Sequence, residues 1–102
     1  MTFQTITEMA NHAESEMTGG GYYDWYRTTA DDEIAGRGED VNPAELAAII
    51  EIESRGHVAI RRVGPVPSGE ILEFSSAETA DRAKVDFWAD IALNNGASVV
   101  SQ

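Results

Sequence analysis

Two histidines, His12 and His57, are the only side chains here whose ordinary pKa suits proton transfer near neutral pH. A serine or threonine nucleophile needs such a base beside it. There is no cysteine, which removes thiolate chemistry and disulfides together. No G-x-S-x-G elbow occurs, and the histidines lie far apart in the chain, which does not make a transition-metal site. The stretch DDEIAG (31–36) has glycine at the sixth position of a calcium loop but lacks the alternating acids. GRG (36–38) is too short to cradle a phosphate. The one grouping that suggests chemistry is Glu53, His57 and Arg61, a carboxylate, an imidazole and a guanidinium beside an expected sheet. The expectation is therefore a protein without catalytic residues, metal or cofactor; a small enzyme or ligand-binding domain near His57 is the alternative.

A different feature suggests binding. In GGGYYDWYRTTADDE (19–33), all three tyrosines and one of the two tryptophans fall within five residues, and three acids follow. Tyrosine and tryptophan give large, rigid contact area at small entropic cost and are enriched at interface hot spots. Successive strand side chains alternate faces, so either Tyr22 and Tyr26 or Tyr23 and Trp25 look outward. With Tyr23 and Trp25 in the core, the candidate partner-binding set is Tyr22, Asp24, Tyr26, Asp31, Asp32, Glu33, Glu39 and Asp40. The competing expectation is that the outer tyrosines flatten against Arg27 or the first helix.

The elements that position these residues follow from periodicity and punctuation. Ile6, Met9, Ala10, Ala13 and Met17 recur at helical spacing over Thr5–Met17, with Thr5 and Glu8 as a capping box and Gly19–Gly21 as the stop. A strand is expected at 22–28, then an exposed loop over 29–41, which holds five acids and two glycines. Asn42-Pro43-Ala44-Glu45 starts a second helix, with Leu46, Ile49 and Ile50 as its buried stripe, Glu53 leaning toward Arg55 or a strand arginine, and Gly56 as its end. From His57 the period changes to two, and HVAIRRVGPVPSGEILEF reads as a β-hairpin turning over Gly64–Gly69. Ser76 opens a third helix to about Asn95, with Ala80, Ala83, Phe87 and Ile91 as its stripe and Trp88 flanking. ASVVS (97–101) reads as a short closing strand. The expected fold is one α+β domain over 1–102, a small antiparallel sheet of three to four strands with about three helices covering one face.

Charge sets limits on partners. The chain carries 18 acids and 7 bases, a net −11. Residues 1–53 hold twelve acids and two arginines, a net −10, while the rest hold six acids and five bases, a net −1. Such a balance argues against direct contact with nucleic acid or an anionic membrane. MTFQTITEM shows neither a basic nor an apolar signal region, and LAAII is far short of the ~20 residues a membrane span needs, so a soluble, cytoplasmic protein is expected. An acidic surface beside aromatics suits the lysine and arginine rows of a nucleic-acid-binding protein.

The block ILEFSSAETADRAKVDFWADI (71–91), a strand leading through a serine cap into an alanine-rich helix with a central aromatic pair, is similar to segments of small anti-CRISPR proteins encoded by phages and other mobile elements. The chain resembles them over most of its length in size, acidity, lack of cysteine and layout. They share no diagnostic motif, so no residue role transfers by position. The resemblance implies a non-enzymatic inhibitor, active in the host cytoplasm, that binds a basic host protein, a CRISPR effector subunit. A phage structural or assembly protein is a further alternative.

Overall fold

The structure, a computed structural model, describes residues 1–17, 24–36, 41–64 and 69–100. Each helix within them begins at a polar side chain that takes up a free first-turn amide. Before α1 (Ile6–Met17), Thr5 Oγ1 accepts from Glu8 N at 3.1 Å, and Glu8 Oε2 accepts from Gln4 N at 3.3 Å. The expected capping box thus closes one residue earlier than Thr5. Thr29 Oγ1 accepts from Asp32 N to start α2 (Ala30–Ile34). Asn42 and Glu45 form a full capping box, at 2.8 and 3.0 Å, for α3 (Pro43–Ser54). Ser76 caps α4 (Ala77–Asn94). The expected stops Gly56 and Gly96 take φ of 75° and 90°. There His57 N bonds Ile52 O and Ala97 N bonds Ala92 O, as the left-handed glycine termination requires.

Among the described residues there are five strands: β1 (Thr2–Phe3), β2 (Asp24–Thr28), β3 (Val58–Val63), β4 (Glu70–Phe74) and β5 (Ser98–Val99). β2, β3 and β4 form an antiparallel sheet in that order, with Tyr26 opposite Arg61 and Ile60 opposite Leu72. β5 does not extend this sheet. It pairs in parallel with β1, Phe3 opposite Val99, a two-residue strand too short to carry a readable alternation.

Alternation along β3 sends side chains to two covered faces, not one. Ala59 and Ile71 pack with Ala30, Ile49 and Ile52 of α2 and α3. Val58, Ile60, Trp25, Leu72 and Phe74 pack with Ala80 of α4. On its far side α4 buries Trp88, Ala89 and Ala92 against Met9, Ala10 and Ala13 of α1. The architecture is α+β with the layers α2/α3, sheet, α4 and α1. Stacking four layers lengthens the molecule to 45 × 27 × 18 Å, with a radius of gyration of 15.2 Å against ~13 Å for a sphere-like chain of ~100 residues.

The two-sided role of α4 explains why the single expected stripe was incomplete. Ala80 is buried and Ala83, Phe87 and Ile91 are half-buried, while Trp88 is central to the second interface, not flanking. In α3, Ile52 takes the place expected for Ile50. Ile52 lies one turn from Ile49 and is buried, whereas Ile50 is rotated about 100° away and is 48% exposed. The segment 29–41 is not all loop: Thr29, the acids of its first turn and the burial of Ala30 sustain α2, which is too short to show a period. The Gly19–Gly21 stop, Tyr22, Tyr23, residues 37–40, the turn prolines Pro65 and Pro67 and the Met17 side chain lie outside the described residues. No helix among the described residues is long and apolar enough to cross a membrane.

Candidate functional site

Of the eight candidate contact residues, Tyr22, Glu39 and Asp40 lie outside the described residues, and the other five separate by environment. Asp24 opens β2 and Asp31 stands in the first turn of α2, both exposed. Glu33 is half-buried, and its Oε1 accepts from Thr28 Oγ1 at 2.9 Å. Thr28 is the buried polar residue of the core at 5% exposure, and Glu33 satisfies its hydroxyl. Asp32 is half-buried and engaged. Tyr26 is half-buried under α3, its hydroxyl accepting from Arg61 Nη1 at 2.7 Å, while Arg61 Nε donates to Glu45 Oε2 at 3.4 Å.

Trp25 sits on the opposite face, as the alternation requires. Its ring lies 5.2 Å from Phe87 and 6.2 Å from Phe74. The Arg62 guanidinium stands 5.4 Å from the Trp25 centroid, and Arg62 Nε donates to Glu70 at 2.8 Å. Both described members of the aromatic cluster, Trp25 and Tyr26, are therefore tied into the framework.

The grouping Glu53, His57 and Arg61 does not converge. Glu53 Oε1 accepts from Ala30 N at 3.1 Å rather than meeting Arg55 or a strand arginine. Arg61 serves Tyr26 and Glu45. His57 Nδ1 lies 2.6 Å from Glu73 Oε2, and Arg55 binds both oxygens of the same carboxylate at 2.9 Å. The hydrogen bond from Arg55, followed by that from His57, holds the Glu73 carboxyl at about 2, well below its ordinary 4.5. Among the described residues no three His, Cys, Asp or Glu side chains gather to hold a metal ion.

Ion pairing redistributes the charge that sequence order assigns to the first half. Arg55 pairs with Glu51 and Glu73, Arg61 with Glu45, Arg62 with Glu70, Arg82 with Glu78 and Lys84 with Glu14. Three of these carboxylates, Glu14, Glu45 and Glu51, come from residues 1–53. Asp81, Asp86 and Asp90 of α4 are left exposed without a cation among the described residues, as are Glu8, Glu16, Asp24 and Asp31. The cation left over among the described residues is Arg27. The negative field covers α4 as well as the β2–α2 region, which halves of a sequence could not reveal.

Concavities mark the surface of the described residues. A pocket of about 110 Å³ lies between Trp25, Ile60, Ala80 and Lys84, and one of about 200 Å³ between His12, Glu16 and Asn95. The largest of these three, about 630 Å³, opens between α1, the end of α4 and β5. His57 lines none of the three. No protein-family model, curated protein or solved structure matches the chain.

Proposed function

We propose that this chain is a non-enzymatic acidic inhibitor that binds a basic surface of a nucleic-acid-binding host protein, with a CRISPR effector as the target. The supporting observation is the charge left after pairing: five of the cations are engaged by carboxylates, and seven exposed acids have no cation among the described residues. Such a surface attracts rows of lysine and arginine that otherwise face phosphate, and it speeds encounter with them. Asp24 and Asp31, on β2 and α2, are the residues through which this contact is made. The choice of a CRISPR effector, and action in the cytoplasm of a phage-infected host, rest on the resemblance in size, charge and layout.

The test is capture of purified CRISPR effector complexes by the tagged chain, read with the effector's binding to labelled target DNA. Binding should weaken steeply between about 50 and 300 mM salt, as screening shortens from ~14 to ~6 Å. Asp24→Asn with Asp31→Asn should weaken it further while leaving every described hydrogen bond in place. Glu33→Ala is unsuitable because it strips Thr28 of its partner. Capture indifferent both to salt and to the double variant would refute the proposed surface, and undisturbed DNA binding across the complexes would refute the inhibitor reading.

A further inference from the structure

The groove at the α1–α4 end of the molecule is a second, chemically distinct surface. It arises from the packing there. Ala10 and Ala13 of α1 meet Ala89 and Ala92 of α4, and small residues let the helices approach closely. The larger Ile6 and Leu93 are left at the edge, 53% and 51% exposed. Together with Met9, Ala89 and Val99 they line an apolar trough of about 630 Å³. Asp86 and Asp90, one helical turn apart on α4, stand on its rim. Neither carboxylate meets a cation among the described residues.

We infer that this groove docks a cationic amphipathic helix, its apolar side on Ile6 and Leu93 and its lysines or arginines on Asp86 and Asp90. Charge selects this occupant over the others an apolar trough could take. A second copy of the chain would bring its own Asp86 and Asp90, and a further −11, to the same contact. An anionic lipid surface or a nucleic acid is repelled by the same rim. The dimensions agree: residues 86–93 advance about 10 Å along α4, two turns, the span of apolar anchors at i, i+3 or i+4, and i+7. The surface lies across the sheet from α2 and α3, so the inference stands apart from the β2–α2 reading.

A synthetic peptide of about 16 residues, long enough to be helical when bound, with leucines at those spacings and lysines beside them, is the direct probe. Its fluorescence anisotropy should show saturable binding to the whole chain, with amide shifts in an ¹⁵N spectrum centred on Ala89, Leu93 and Val99. Leu93→Ser should weaken binding about tenfold or more, and Asp86→Asn with Asp90→Asn about three- to tenfold. Asp24→Asn with Asp31→Asn should leave it unchanged. Should Leu93→Ser disturb the circular dichroism spectrum, the double aspartate variant on the exposed rim carries the test. A scrambled peptide of the same composition that binds equally well would overturn the inference, since only net charge would then be at work. So would equal binding of the peptide with glutamate for lysine, or light scattering that shows a dimer dissolved by Leu93→Ser.

Discussion

The carboxylate of Glu53, in the last turn of α3, accepts a hydrogen bond from the backbone amide of Ala30, the first residue of α2, at 3.1 Å. Two separate side chains therefore cap α2, since Thr29 takes the Asp32 amide. Five residues do not hold a helix in water by themselves. This one persists because α3 supplies both a cap and, through Ile49 and Ile52, an apolar seat for Ala30. The acids of α2 are thus presented on a supported turn rather than on a loose loop.

Removing that cap tests the relationship. Glu53→Ala leaves a part-buried amide without its acceptor and is expected to cost about 1–2 kcal/mol, or roughly 5–10 °C in melting temperature for a domain of this size. Glu53→Gln retains a side-chain oxygen and should lose less. Thermal unfolding followed by circular dichroism measures both, and an alanine variant that melts with the parent would show that the bond carries no stability.

Acid should expose the Arg55–Glu73–His57 cluster. The folded-state value of Glu73 is lowered to about 2 from an ordinary 4.5, first by the Arg55 hydrogen bond and then by that of His57. The unfolded chain therefore takes up this proton at higher pH than the folded one. The contribution is fully present above 4.5 and is lost as pH falls from there through about 2. Denaturant midpoints of the parent and Glu73→Gln should differ near neutrality and converge over that window. A gap that stays constant down to pH ~2 would mean that the carboxylate's ionisation is not what stabilises the cluster.

Local chemistry was legible where one residue type decides the outcome. Thr5, Asn42 and Ser76 mark helix starts, Gly56 and Gly96 mark helix ends, and the change of period at His57 marks the hairpin. What sequence could not give depends on contacts between distant segments. α4 carries two buried faces because it lies between the sheet and α1, and one expected stripe accounts for only one of them. α2 is stabilised from α3, and β5 finds its partner at the other end of the chain. The candidate site suffered in the same way: composition flags Tyr26, Glu33 and Asp31 alike, but only long-range partners distinguish the acid facing solvent from the residues tied into the framework. The unpaired acids of α4 emerge only once Lys84 and Arg61 are seen to take carboxylates from the first half.

Tyr26 provides the sharpest separation of framework from contact. Its hydroxyl accepts from Arg61 Nη1, and Arg61 reaches Glu45, so the phenol closes a chain linking β2, β3 and α3. The Arg61 and Glu45 side chains are only 12% and 13% exposed, which leaves little water to replace a lost partner. Tyr26→Phe keeps the ring and removes the acceptor, and it is expected to lower stability by about 1 kcal/mol, near 5 °C in melting temperature. Because the hydroxyl is turned toward Arg61, capture of a basic partner by Tyr26→Phe should stay within about twofold of the parent. The opposite pair of results, an unchanged melting temperature with capture lost, would make the hydroxyl a contact group and return Tyr26 to the binding surface beside Asp24 and Asp31.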